Sequence, residues 1–407
     1  MLLSKSRSAP RAMSGQTEIA NIVARLQSIS RSLRLRYGWT LRPLALGAAL
    51  RLMVFAAAVA GTRIIGLAGG AKYPNVLEIW LRNNAHWYTE IASNGYFNTR
   101  GLPLTANFFP LYPLSVSIVQ HLTGPFSGDS YIAASLVVSW VAFLAACVLL
   151  FRLVSDRFGD QTAVLAVLLL GIFPFSFYFG APYSEALYVA CAILAFLGVD
   201  RSNWWLAGTG ALLAGVTQPT GLIVGAAVVV AYFVDWRRTR HRLRWDILAL
   251  GLVPLGVVAF AMYCWIHFGN PFAYVVASSQ GWQQHLQTAG IKYLISVLIH
   301  PHSWVHGSLL DFIYALLVLA VLAACYPIYR LLGPSYLVFT FLSCVLPILE
   351  FSSINSTGRY MSVIFPVFIL LAYALSKWPA LRDMTISGSA LLLAVCVTGF
   401  AGGYGFS

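Results

Sequence analysis

Long apolar runs separated by short polar turns occupy the chain from residue 43 onward, falling at 43–67, 131–151, 162–179, 186–199, 248–268, 309–329, 336–349, 360–375 and 387–400. Runs of this kind read as membrane spans rather than as core elements of a soluble domain. Residues 204–235 are too long for one span and carry Thr217-Gln-Pro-Thr-Gly221 at their centre. That break predicts a hairpin of two short helices, because proline removes a backbone donor and glycine permits the turn. Residues 109–122 predict an interfacial or short membrane-inserted helix. The pattern as a whole predicts an all-α polytopic membrane protein of about eleven hydrophobic helices.

Composition supports this class: 59% of the 407 residues are hydrophobic and only 10% are charged. The stretch 81–113, LRNNAHWYTEIASNGYFNTRGLPLTANFFPLYP, is the long polar and aromatic exception. Arg82, Asn83, Asn84, Glu90 and Arg100 would each be costly to desolvate, so it is expected to lie outside the hydrocarbon. All six cysteines fall inside apolar runs without CxxC spacing, which argues for small packed hydrophobes and against a disulfide framework or zinc site.

The net charge of +13 comes from short arginine clusters beside the apolar runs, the pattern that writes membrane topology, and no nucleic-acid motif accompanies it. Residues 1–42 hold eight basic side chains against the single acid Glu18 and are expected to form a basic cytoplasmic arm ahead of one transmembrane domain, 43–407. The arm lacks the short apolar core and cleavage site of a signal peptide, so the first span is expected to stay as an anchor. The loop 237–244, with five arginines in eight positions, marks the cytoplasmic side most clearly. Phasing from it puts 81–113 and 269–306 on the opposite, external face, together with the C-terminus. Arg51, inside the first span, either snorkels to the cytoplasmic interface or meets an acid on another helix.

On this phasing Asn83, Asn84, Glu90, Glu185, Gln218, Trp282, Glu350 and Arg359 all face one compartment. Several ionisable groups at the membrane edge on one side suggest a shared aqueous cavity. The His300, His302 and His306 spacing invites a metal reading, but Pro301 breaks the helical register and the nearest acid is Asp311, so no metal and no cofactor is expected.

Ala85-His86-Trp87-Tyr88, with Ile91-Ala92 and Gly95-Tyr96, followed by Phe108-Phe109-Pro110-Leu111-Tyr112-Pro113, resembles the signature of the PIG-V-like mannosyltransferases, integral-membrane glycosyltransferases of the GT-C type. Further matches come in family order: Pro182-Tyr183-Ser184-Glu185, Gln218-Pro219-Thr220-Gly221, Gly269-Asn270-Pro271 leading to Trp282, and Gly358-Arg359-Tyr360 leading to Phe365-Pro366. The resemblance spans residues 51 to about 375 and implies a GT-C-like fold whose external loops form the site. It also implies transfer of a sugar, typically mannose, from a polyprenyl-phosphate carrier to a hydroxyl of a lipid-linked or protein acceptor. Such chemistry needs a carboxylate to take the acceptor's proton and a cation to offset charge on the departing phosphate. Arg359 is the first candidate cation, with Arg82 and Lys292 behind it. His86, Trp87, Tyr88, Tyr183, Gln218, Trp282 and Tyr360 complete the implied substrate-binding set. The aromatic members stack on a sugar or prenyl chain, or serve as an interfacial belt.

The chain departs from the family pattern in three places. Asn83-Asn84 stands where relatives carry Trp-Asp, Gln218 stands where Arg is usual, and Trp282-Gln283-Gln284-His285 lacks the usual following arginine. An amide at Asn84 cannot act as a base. Glu185, or Glu90 polarised by His86 on the same helical face, is expected to substitute if the chain is an enzyme. The alternative is a non-catalytic relative that keeps the lipid-and-sugar cavity; a transporter is disfavoured by the lack of an internal repeat.

The phasing yields a direct expectation. In sealed cells, a membrane-impermeant thiol reagent should label cysteines substituted at Ser93 and Ser279 but not at Thr239; labelling at Thr239 would reverse the topology.

Overall fold

The computed structural model describes residues 39–64, 75–127, 130–239, 245–284, 286–300, 309–351, 354 and 356–403. Most of the basic arm, five residues of the arginine loop (Arg240, Arg242 and Arg244 among them), His285, His302 and His306 lie outside them. The described chain is helical, with one isolated bridge between Thr99 and Leu102 and no strand among the described residues. In order come α1 (Trp39–Ile64), α2 (Asn84–Asn94), α3 (Leu111–Ser127), α4 (Tyr131–Phe158), α5 (Asp160–Ile172), α6 (Glu185–Asp200), α7 (Trp204–Thr217) and α8 (Gly221–Arg238). They are followed by α9 (Leu252–Phe268), α10 (Ala273–Val276), α11 (Ala289–Ile299), α12 (Leu309–Leu332), α13 (Pro334–Glu350), α14 (Thr357–Ser362), α15 (Phe365–Leu375) and α16 (Pro379–Ala401).

Five helices among the described residues are long and apolar enough to cross a membrane: α1, α4, Trp245–Phe268, α12 and α16. The remaining apolar segments are shorter, and proline and glycine account for much of the difference. The expected hairpin forms as α7 and α8, hinged at an extended Gln218. Small residues let α6 and α7 approach until backbone meets backbone: a Cβ on Gly210 would stand 2.4 Å from the Ala195 nitrogen.

The run 162–179 is not one span. Helix α5 stops at Ile172, where Phe173 turns extended (φ −53°, ψ 138°) ahead of Pro174. Proline has no amide hydrogen to give and its ring disfavours a helical residue before it. A non-helical connector with one short 3-10 turn, Ser176–Phe179, then leads to α6. Residues 175–186 are buried. Ser139 reaches the Ala181 carbonyl at 2.7 Å. Because Ser139 lies eight residues into α4, the connector sits about 12 Å below the start of that helix, inside the bundle.

Irregular backbone at such depth is tolerated only when its polar groups find partners. Arg51 supplies two of them. It is 1% exposed, and donates to the carbonyls of Ser176 (2.7 Å) and Gly171 (3.1 Å), with its guanidinium 4.1 Å from the Phe143 ring centre. Arg51 therefore neither snorkels nor meets an acid: it caps the broken end of α5, where unpaired carbonyls carry partial negative charge. Ser139, and the Trp140 indole on Gly180 at 3.3 Å, satisfy the rest of the turn.

The two ends of the bundle differ in charge. At the far end of α6, Asp200 pairs with Arg157 and accepts from Tyr336 (3.1 Å), while Arg152 and Arg201 share Asp156 at 3.2 and 3.0 Å. Those arginines mark one end, and Glu185 opens α6 about 22 Å away at the other.

Replacing Arg51 with Met leaves the Ser176 carbonyl without its side-chain donor and the Gly171 carbonyl with Ser176 Oγ alone at 2.6 Å, at about 1–3 kcal/mol for the lost bonds. Arg51→Met should lower the thermal midpoint of the protein in detergent clearly, and Arg51→Lys, which keeps a donor, should lower it less.

Candidate functional site

The recessed connector is the floor of a cavity of about 260 Å³. Its walls come from the start of α2 (Asn83, Asn84, Tyr88), the hinge Gln218 to Thr220, Asn107 and Phe108, the α10 region (Tyr274, Trp282, Gln284), and Glu350, Phe351, Ser356, Arg359 and Tyr360. Small-molecule sites commonly measure about 300–1,000 Å³, so this one suits a sugar ring and a phosphate rather than a whole lipid.

At its base Arg359 Nε lies 3.3 Å from Glu185 Oε1, with side chains 12% and 6% exposed. Glu185 opens α6, where the helix dipole favours a negative charge. Arg359 sits on the short α14, held against the floor by Gly358, whose Cβ would stand 2.6 Å from the Phe175 ring. The guanidinium also donates to the Tyr360 hydroxyl (3.0 Å) and lies 4.9 Å from that ring's centre and 5.8 Å from that of Tyr183. Burial alone would lower its pKa, but Tyr360 and Glu185 outweigh burial and raise it, so Arg359 stays charged. Glu185 Oε2 is buried with no hydrogen-bond partner among the described residues.

A second layer fixes the wall. Ser184 Oγ pairs with the Tyr88 hydroxyl at 2.7 Å and accepts from Gln218 Nε2 at 2.8 Å, and Gln218 Oε1 accepts from Thr220 at 3.1 Å. Gln218 thus locks the hinge to α6 and α2 by neutral bonds. Asn83 precedes α2 at φ +48°, a region that asparagine tolerates better than most residues. Trp282 meets the edges of Trp87 and Phe108, each at 5.6 Å, and donates to the Leu104 carbonyl at 3.3 Å.

Of the residues singled out from sequence, Asn84, Tyr88, Tyr183, Glu185, Gln218, Trp282, Arg359 and Tyr360 line the cavity. Trp87 packs behind Phe108 and Trp282. Arg82 does not line it: its guanidinium donates to the Ala401 carbonyl at 2.9 Å, and its own carbonyl accepts from Tyr183 at 2.9 Å, tying α2 to the last helix. His86 and Glu90 do share a helix face, as their spacing predicts, but that face borders a separate groove with Thr89, Ser93 and Tyr131. Lys292 is exposed on α11 and lines no cavity described here. Thr220 and Gln284, which belong to motifs already named, join the wall, as do Asn107, Tyr178, Tyr274 and Ser356, which no sequence signal marks.

This geometry belongs to an integral membrane protein with an all-α, GT-C-like fold, organised around a polar cavity at one end of its helices. Among solved structures the chain is similar to ArnT from Cupriavidus metallidurans bound to undecaprenyl phosphate, at a TM-score of 0.56 and 12% identity over 90% of this chain and 77% of that one. The apo state of the same protein aligns at 0.51 and 13% identity over 85% and 77%. An oligosaccharyltransferase from Archaeoglobus fulgidus aligns at a TM-score of 0.48 and 13% identity over 92% of this chain and 56% of its own. At these identities the likeness establishes the fold alone. No known family and no curated protein matches the chain by sequence.

Removing one member of a buried ion pair costs about 3–5 kcal/mol because the other charge is left uncompensated. Arg359→Met and Glu185→Leu should each destabilise the protein on that scale, and the double variant should be milder than their sum, as read by unfolding midpoints.

Proposed function

We propose that the chain is a glycosyltransferase that moves a sugar, mannose by its sequence resemblance, from a polyprenyl-phosphate carrier to a hydroxyl of a lipid-linked or protein acceptor on the non-cytoplasmic face. The observation that carries this reading is the buried Arg359 and Glu185 pair at the bottom of a polar, aromatic-lined cavity within membrane helices. The fold neighbour is a protein whose structure was solved with undecaprenyl phosphate, which fits a polyprenyl-phosphate ligand here.

Arg359 offers the donor's phosphate a planar fork of donors, and its charge offsets the charge that grows on that phosphate as the glycosidic bond breaks. Tyr88, Phe108 and Trp282 present ring surfaces to the sugar. An apolar groove of about 490 Å³, lined by Ile91, Tyr96, Leu114, Phe260 and Tyr263, lies further along α2, toward its C-terminal end, and suits an alkyl or prenyl chain. A carboxylate of the cavity takes the acceptor's proton, and Glu185 is the one that its motif singles out. Asn84 supplies an amide at the family's acid position and can only hydrogen-bond a sugar or acceptor hydroxyl. That substitution favours the second reading, a non-catalytic relative that binds lipid-linked sugar.

Purified protein with a polyprenyl-phosphate mannose donor and a panel of lipid acceptors distinguishes the two. The enzyme reading expects transfer, reduced by Arg359→Lys, since lysine keeps the charge but loses two parallel hydrogen bonds. Donor binding without transfer in any variant would favour the binding protein. Unchanged turnover in Arg359→Lys would remove that residue from the site.

A further inference from the structure

Two carboxylates line the cavity, and their surroundings differ. Glu185 is buried and committed to Arg359. Glu350, the last residue of α13, is half-buried, and no cation among the described residues lies within ion-pair distance of it. Its charge acts on the tyrosines of the wall: burial first, and then Glu350, raise the Tyr274 hydroxyl above its ordinary pKa.

The position of Glu350 is well fixed. The Gln287 amide donates to the Leu349 carbonyl at 2.8 Å, and Gln287 Nε2 reaches the Glu350 carbonyl at 3.5 Å. Helix α11 presses so closely on the end of α13 that a Cβ on Gly290 would stand 2.1 Å from the Ile348 carbonyl oxygen and 2.6 Å from that of Phe351. The backbone carrying the carboxylate is thereby held, and Glu350 lines the same cavity as Asn84 on α2.

A base must be free to accept a proton. If Glu185 did so, the buried Arg359 would lose its counter-charge just as it is needed at the phosphate. Glu350 has no such commitment. We propose that Glu350 is the catalytic base of the transfer reaction, standing in from α13 for the carboxylate that α2 lacks at Asn84, and that Glu185 is a positioning residue that holds Arg359. This rests on the transfer reading above. In the step, the acceptor hydroxyl gives its proton to Glu350 and its oxygen bonds to the anomeric carbon. The bond from that carbon to the phosphate oxygen breaks, and the polyprenyl phosphate leaves with the electron pair beside Arg359.

The test uses full-length protein, the polyprenyl-phosphate mannose donor and the acceptor that the wild type uses. Glu350→Gln should lower kcat by about 10²–10⁴, the usual worth of a general base, with donor KM and thermal midpoint near wild type. Glu185→Gln should instead raise donor KM. Moving the acid back, in Asn84→Asp combined with Glu350→Gln, should recover at least about tenfold of the lost rate, which a merely structural defect would not allow. Glu350→Gln turnover within about threefold of wild type would overturn the assignment while leaving the transfer reading intact. A loss accompanied by a fallen midpoint and not recovered by Asn84→Asp would assign Glu350 a structural role and overturn it as well. Absence of wild-type transfer, with donor still bound, would overturn the transfer reading and this assignment together.

Discussion

Backbone carbonyls placed inside a membrane bundle without helical partners must be answered by side chains, and the fold is arranged around one such answer. The connector between α5 and α6 is held by Arg51, Ser139 and Trp140, which lie on α1 and α4. An arginine buried among apolar residues is costly unless its donors are used, and here the broken end of α5 takes a bond from each terminal nitrogen. The bonds that satisfy those two nitrogens are the ones that answer the carbonyls left by the break. The consequence is a floor recessed below the end of α4, and a recessed floor is what gives a membrane protein a polar cavity at all.

The ion pair on that floor follows from the same geometry. Ending α5 early allows α6 to begin at Glu185 within the bundle instead of at its surface, with a helix N-terminus behind the carboxylate. A charge at that depth needs a partner, and Arg359 arrives on a short helix that itself interrupts what reads in sequence as a single span. Three interruptions, before α6, between α7 and α8, and around α14, therefore converge on one end. Each places polar backbone or side chains where continuous helices would have placed only apolar ones. The remaining elements hold these breaks in register: Gln218 bridges the hinge to Ser184, and Arg82 ties α2 to the C-terminus of α16.

Asn84 and Gln218 are amides and bring no charge to the wall. Neutral hydrogen bonds knit it together: Gln218 to Ser184 and Thr220, and Ser184 to Tyr88. Among the described residues the cavity thus keeps its charge at two places, the Arg359 and Glu185 pair and a Glu350 with no ion-pair partner, which lets roles be assigned by environment as well as by position in a motif.

Hydropathy alone determined that the chain is helical and membrane-embedded, because the length and greasiness of a run are local properties. The hinge at Thr217 to Gly221 was legible for the same reason: proline and glycine act on their own backbone. Motif order singled out Glu185 and Arg359, and the phasing of the arginine clusters is what assigned them to one compartment. Only the tertiary structure decided that the two touch, since nothing local relates α6 to α14. It also decided which face of α2 turns inward. The spacing of His86 and Glu90 shows that they share a face, but the opposite face carries Tyr88, Ile91 and Ala92, which bury against Phe108 and Tyr112 and turn the two polar residues away. Arg51 shows the same limit, as a single buried arginine can be read from sequence as an exception to hydropathy, whereas its partners are carbonyls of a distant turn that no pattern of side chains encodes.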